Sequence, residues 1–240
     1  MPNHDRIASE IERNVGPFAR PDSHFHLDFS RFIPGFVGDE IAAERLLERL
    51  DLVPSRRIFV TPDNALIPIR QRLLEANIDL VLPTYGLHDG FVVVSPSTIP
   101  PGHERYASWL DGTQHFGKAV TLKELRSRGP FDLIIAGAAA VDRTGRRFGM
   151  GSFYLDIEWG VFAEAELVNA ETSIVAVVHD TQISDELVTT SRGHVHADIV
   201  VTPTATLDIG IKPRPENLDW SLVDEELSNS PPLRELKDDH

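Results

Sequence analysis

Cysteine is absent from the 240 residues. That excludes disulfides, thiolate zinc sites and a cysteine nucleophile. Basic residues are scarce. There are 23 Lys and Arg against 37 Asp and Glu, a formal net charge of -14. Nucleic acids and anionic membranes reward basic patches, so neither is an expected partner. A small anionic ligand is still compatible with this balance, because one pocket can be positive on a negative protein. Long apolar runs are also missing. None approaches the ~20 residues of a membrane span. The opening MPNHDRIASE lacks the apolar stretch of a signal peptide. A soluble, cytoplasmic protein is expected.

The apolar residues fall instead in short, nearly continuous runs: RRIFVTP, IDLVLPT, GFVVVSP, FDLIIAGAAAV, SIVAVVHD and ADIVVTPT. Runs rich in Val and Ile without alternation suit strands buried on both faces of a parallel sheet. The spacing predicts 131–137, 173–179 and 197–202 as adjacent or near-adjacent strands. Helical periods lie between the runs. Ala43, Leu46, Leu47 and Leu50 share one face, as do Leu66, Ile69 and Leu73. Pro68 is tolerated only in a first turn, which places that helix start between Asn64 and Ile67. IEWGVFAEAELVNA is a third helix. The pattern predicts a three-layer α/β sandwich around a mainly parallel sheet. Residues 1–220 form its single domain, with the aromatic stretch before residue 40 wrapped over the core. The acidic segment 221–240 is expected to be loosely ordered.

Ligands of open parallel sheets bind beyond the carboxyl ends of the strands, so three strand exits draw notice. GRRFGMGSFYLDIEWG, residues 145–160, sets Gly145, Gly149 and Gly151 around Arg146 and Arg147. The loop can cradle phosphate with its amides and guanidiniums, or its glycines can serve backbone turns alone. It is neither GxxxxGK[ST] nor a strand-linked GxGxxG. It is expected to line the main cavity over 142–155. Asp156 and Glu158 open the next helix, where the macrodipole favours acids in any case. VVHDTQISD delivers His179, Asp180 and Gln182. Asp156 and Asp180 are candidate oxygen ligands for Mg2+, expected to face each other across the pocket. The pairs His24/His26 and His194/His196 have the spacing of transition-metal ligands on a strand.

Five motifs in order carry a family resemblance: RFIPGF at 31–36, VTPDNALIP, GRRFGMGSFYLDIE, VHDTQI, and IKPRP at 211–215. Over roughly residues 18–220 the chain resembles the 5-formyltetrahydrofolate cyclo-ligase family, and within it the divergent methenyltetrahydrofolate synthetase domain-containing branch. The resemblance implies a Rossmann-like three-layer fold. It implies ATP- and Mg2+-dependent conversion of 5-formyltetrahydrofolate to 5,10-methenyltetrahydrofolate, with a folate as the small-molecule partner. It assigns Tyr154, Asp156, Glu158 and Asp180 to catalysis. Arg146, Arg147, Gly149, Gly151 and Ser152 fall to the nucleotide phosphates, and Phe153, His179 and Gln182 to the substrate.

The departures cluster on the phosphate side. True cyclo-ligases resemble R-x-G-x-G-[KG]-G-Y-Y-D-R. Here Arg147, Gly149, Gly151, Tyr154 and Asp156 fit, while Ser152, Phe153, Leu155 and Ile157 do not. The nearest match to the family's N-terminal Lys/Arg pair is His4 and Ala8, with Arg6 or Arg13 as alternative cations. Each lost cation removes a charge-assisted hydrogen bond worth roughly 1.5–3 kcal/mol, which implies a degraded ATP site. Two further readings share the scaffold. One is a hydrolase or isomerase acting on a small formyl, amide or lactone substrate. The other is a non-catalytic ligand-binding protein.

Overall fold

The computed structural model describes residues 9–10, 12–22, 25–28, 32–50, 56–149, 154–185 and 195–238. Its framework is an eight-stranded sheet in the order β11-β10-β8-β5-β1-β2-β3-β4. The strands are β1 (Ile58–Val60), β2 (Leu80–Pro83), β3 (Phe91–Val94), β4 (Lys118–Val120), β5 (Leu133–Gly137), β8 (Ser173–Val177), β10 (Ile199–Val201) and β11 (Thr206–Asp208). β10, β8, β5, β1 and β2 run parallel. β3, β4 and β11 are added antiparallel at the two edges. The three runs expected to be neighbours are neighbours: Ile135 pairs with Val175, and Val175 with Ile199. Every residue of β5 is buried. Its apolar run therefore has no polar alternation, because both faces are covered.

The two faces have separate cores. Ile58 and Val60 pack with α1 (Asp39–Leu47) and α2 (Ile67–Glu75). Phe59, between them, points to the other side with α6 (Tyr154–Glu164). The pleat's period of two assigns neighbouring residues to opposite layers. The second core is built on Phe162, whose ring lies 4.9 Å from Phe59, 5.0 Å from Phe91 and 5.0 Å from Phe131, centroid to centroid. Burying each such side chain stabilises the fold by roughly 1.5–3 kcal/mol. α2 begins at Ile67 with Pro68 in its first turn, where the missing N–H leaves nothing unpaired. The short helices α3 (Glu104–Ala107), α4 (Leu110–Phe116) and α5 (Leu122–Arg126) join β3 to β4 and β4 to β5.

Three features differ from the expectation or lie outside it. A small second sheet of β6 (Ala140–Asp142), β7 (Arg147–Phe148) and β9 (Ile183–Ser184) stands beyond the exits of β5 and β8. Among the early residues, Ala19 bridges Phe36, and Val15 packs on Ala139, Ala140 and Phe148. The segment 221–240, expected to be loose, holds helix α7 (Pro231–Asp238), with Leu233 and Leu236 buried in the second core beside Leu227. Its acidic composition concealed an i, i+3 apolar pair, which suffices for a helix that docks on one face.

The chain leaves β1 for β2, β3 and β4 on one side, then returns to β5 on the other. The carboxyl ends of β1 and β5 thus bound a topological switch point, where parallel sheets leave a crevice.

Candidate functional site

Asp63 stands in that crevice, at the exit of β1. Its Oδ2 accepts hydrogen bonds from the Gly137 amide at 2.9 Å, the last residue of β5, and from the Thr61 hydroxyl. A Cβ at Gly137 would lie 2.8 Å from that oxygen, so a side chain here would displace the carboxylate. The next residue, Asn64, donates to Asp22 at 2.6 Å. Arg70 of α2, fully buried, fixes the exit from behind. It donates to the carbonyls of Thr61 at 2.8 Å, Asp63 at 3.0 Å and Ser108 at 2.8 Å. Burial pulls its pKa down to about 10, against the attraction of Asp63, so it stays charged at neutral pH.

A cavity of about 840 Å3 opens beyond β1 and β2. Its walls include Arg20, Asp39, Asn64, Tyr85 and Trp109. Asp39, at the first turn of α1, binds Arg20 through both oxygens at 2.8 and 2.9 Å. Burial pushes its pKa up to about 6, although Arg20 opposes the rise. The folded state therefore holds this proton more tightly than the unfolded chain does. That contribution to stability is lost as pH rises from about 4 through 6. Asp39→Asn removes the dependence. Thermal melts at pH 4 and pH 7 are expected to show the variant gaining roughly 5 °C on the wild type between the two. An unchanged difference would refute this assignment.

Loop 142–149 does not line this cavity; it forms the β6–β7 hairpin. Asp142 closes the hairpin by accepting from Thr144 and the Arg146 amide. Gly145 has φ 82°, and a Cβ there would meet the Ala197 carbonyl at 2.2 Å. At this position the glycine is required by the turn and by close approach to the chain that leads into β10. Gly149 follows β7. Gly151, Ser152 and Phe153 lie outside the described residues, as do His24 and His194. Of their partners, His26 closes a bridge with Asp22, and His196 meets the Thr144 carbonyl at 3.3 Å.

The hairpin sends Arg147 inward, where its Nε reaches the Val195 carbonyl at 3.3 Å. Burial lowers its pKa, opposed by the charges of Asp156, Asp63 and Glu158. These four groups form one partly buried electrostatic cluster at the switch point, with Glu158 its most buried member. Asp156 accepts from the Val195 amide at 2.7 Å. Burial, with the Asp63 charge, holds the Glu158 carboxyl well above its ordinary value. Among the described residues its Oε2 has no hydrogen-bond partner, which leaves one buried carboxyl oxygen uncommitted. Tyr154 opens the helix that carries Asp156 and Glu158. It is 41% exposed, and its hydroxyl lies 3.5 Å from where a Gly86 Cβ would stand, next to cavity-lining Tyr85. Burial and the neighbouring Tyr85 raise its pKa.

His179, Asp180 and Gln182 form a different group, at the exits of β8 and β10. Gln182 donates to the carbonyls of Ala138 and Ala139 and accepts from the His179 amide. The His179 ring stacks on Phe18 at 4.4 Å. Burial lowers its pKa more than Asp180 raises it, and its Nδ1 accepts from the Thr181 amide. Asp180 accepts from the Thr202 and Thr204 hydroxyls at 2.5 Å each. Burial raises its pKa, but the two threonines and His179 together hold it below the ordinary value. Asp156 and Asp180 thus sit in separate hydrogen-bond groups. Among the described residues no three His, Asp or Glu side chains gather as a metal site.

Asp63, Arg70, Asp39 and the cavity aromatics escaped the sequence reading. Asp63 had a signal, since VTPDN is a polar strand exit like the three that were noticed. The others come together from distant segments.

Comparison with known proteins bears on this arrangement. The model of the 5-formyltetrahydrofolate cyclo-ligase family matches residues 22–203, which contain Asp63, Arg147, Asp156, Glu158 and Asp180. The chain is 29% identical over 234 residues to the methenyltetrahydrofolate synthase domain-containing protein of Homo sapiens, covering 94% of this chain and 57% of that protein. It is 32% identical over 242 residues to the Mus musculus protein of that name, covering 98% and 62%. The chain spans less than two thirds of the length of these relatives. With a family model matched over most of its length, the chain belongs to the 5-formyltetrahydrofolate cyclo-ligase family.

Proposed function

We propose that this protein acts on the 5-formyltetrahydrofolate/5,10-methenyltetrahydrofolate pair, with a weakened nucleotide site. The observation that carries the reading is the Asp63–Arg147–Asp156–Glu158 cluster at the switch point, whose Asp63 adjoins Asn64 in the wall of a cavity with aromatic sides. When bound, ATP supplies a phosphoryl group that turns the formyl oxygen into a leaving group. N10 attacks the formyl carbon, the carbon–oxygen bond breaks, and the N10 proton passes to solvent. In this reading Arg146, Arg147 and Gly149 would hold the nucleotide together with the loop that follows. The cavity orients the folate, and Glu158 keeps a proton within the dry interior.

Two positions support lowered nucleotide affinity. Leu155 and Ile157, where family members carry polar residues, are buried in the second core. Neither position can present a cation to a phosphate. Arg147, which fits the family pattern, is already surrounded by carboxylates.

Calorimetric titration tests the proposal. 5-Formyltetrahydrofolate is expected to bind saturably, while Mg-ATP fails to reach low-micromolar affinity. Formation of the methenyl chromophore is expected to be slow and to fall further with Glu158→Gln. Absence of any folate binding at millimolar concentration would overturn it. Low-micromolar Mg-ATP binding would overturn the weakened-nucleotide part alone.

A further inference from the structure

Residues 15–22 cross the carboxyl edge of the main sheet. Val15 packs on Ala139 and Ala140, just past β5. Phe18 lies over His179, just past β8. Arg20 reaches Asp39 at the head of α1, and Asp22 accepts from Asn64, just past β1. The crossing thus begins at the exit of β5 and ends at the exit of β1, the two strands whose ends bound the switch point. Asp63 stands between those two points. Its Oδ2 meets Gly137 on the β5 side, and its neighbour Asn64 holds Asp22 on the other.

The crossing is fastened unevenly. Val15 is 1% exposed, whereas no residue from Gly16 to Asp22 is buried. Phe18 covers His179 and is itself 38% exposed, and Ala19 adds a partly buried methyl. The other ties are backbone or polar. The Arg20 amide donates to the Gly35 carbonyl and the Val37 amide to the Phe18 carbonyl, at 2.8 Å each. The Arg20 side chain, which pairs with Asp39, is 45% exposed. Water can replace such contacts, and segments held with little buried apolar area open more readily than the core. By contrast, β5 is buried throughout.

The cavity supplies a separate observation. Arg20, Pro21 and Asp22 form one of its walls, and Asn64 belongs to another. Asp63, the residue before Asn64, is not in the walls. A ligand in the cavity therefore lies against the crossing, one residue short of the switch point.

We infer that residues 16–22 are a lid over the switch point, anchored at Val15 and latched by the Arg20–Asp39 and Asp22–Asn64 contacts. Lifting it joins the cavity to the Asp63–Arg147–Asp156–Glu158 cluster. Closing it shuts water out around a bound ligand. A ligand favours the closed lid only through contacts it lacks when the lid is open, and Arg20, Pro21 and Asp22 supply them. On the folate reading above, on which the choice of ligand rests, 5-formyltetrahydrofolate is that ligand.

Two measurements on the whole chain test the lid. Hydrogen exchange is expected to be about a hundredfold faster in 16–22 than in 133–137. Arg20→Gln is expected to speed 16–22 by a further factor of about five and to leave 133–137 unchanged. The second measurement uses the absence of cysteine. Thr61→Cys places one thiol at the exit of β1, where Thr61 is 6% exposed. Its labelling by a small disulfide reagent is expected to be about fivefold faster when Arg20→Gln is added, and about tenfold slower under saturating 5-formyltetrahydrofolate. The exchange measurement changes nothing beneath the lid, so it decides even where Thr61→Cys fails to fold. Exchange in 16–22 as slow as in 133–137 overturns the lid. So does an Arg20→Gln change that speeds both segments equally, or labelling of Thr61→Cys that ignores the latch. If 5-formyltetrahydrofolate does not bind while Arg20→Gln acts on 16–22 alone, the folate reading fails and the lid stands. If it binds without slowing exchange in 16–22, closure of the lid over this ligand is overturned.

Discussion

Replacing Arg70 by Met is expected to lower the melting temperature by about 10 °C. The guanidinium is buried and meets three backbone carbonyls, those of Thr61, Asp63 and Ser108. Met fills most of the volume but donates nothing. Each orphaned carbonyl costs roughly 1–3 kcal/mol. Their sum, moderated by relaxation, is roughly 3–5 kcal/mol. A lysine has three donors but no planar fork, so Arg70→Lys is expected to recover less than half of the loss. The same variants should weaken any cavity ligand. Arg70 ties the β1 exit to the 105–111 segment, and both contribute to the walls. Circular dichroism melts decide the matter: a fall below about 2 °C would mean that water replaces the guanidinium without penalty.

The second large effect lies at the opposite face. Arg214, only 6% exposed in its side chain, pairs with the equally buried Asp198 and donates to the Thr172 carbonyl. Its guanidinium lies 4.8 Å from the Trp159 ring centroid, and the Trp159 indole donates to Pro215 at 2.8 Å. Arg214→Met is expected to cost roughly 3–5 kcal/mol, because it strands the Asp198 carboxylate in the interior. Arg214→Met combined with Asp198→Asn should be less damaging than the sum of the two single changes, since the pair is then removed together. Hydrogen exchange should report faster opening of α6 in the single variant. Strict additivity in denaturant melts would show that the two side chains act separately.

These two arginines mark where the sequence was and was not readable. The buried strands were legible because burial on both faces leaves no polar alternation, as in LIIAG of β5. Pro68 fixed a helix start because proline has few permitted places. Asp156 and Glu158 were correctly set at the head of a helix. The small β6–β7–β9 sheet was illegible, since strands of two or three residues carry no period. Arg146 and Arg147 looked alike in the string. Only the hairpin's alternation turns Arg147 inward to three carboxylates. The cavity was the least legible part. Its walls come from residues 20–22, 25, 35, 39–40, 64–71, 85 and 105–114, and no local pattern announces that such segments will meet. Arg70 reads as one more charged helical residue until the fold buries it.

Gly160 on α6 lies against Leu218, so closely that a Cβ would stand 2.6 Å from the Leu218 Cα. This contact has a temporal consequence. A chain made from its N-terminus completes β1 to β4 with short-range pairings, but β1 keeps one edge open until β5 is made. Helix α6, which carries Tyr154, Asp156 and Glu158, then waits with Trp159 and Gly160 uncovered until residues 214–218 have been synthesised. Helix α6 thus gains its full cover only after residues 214–218 and then α7 have been made. A chain lacking residues 214–218 would carry α6 with Trp159 and Gly160 exposed.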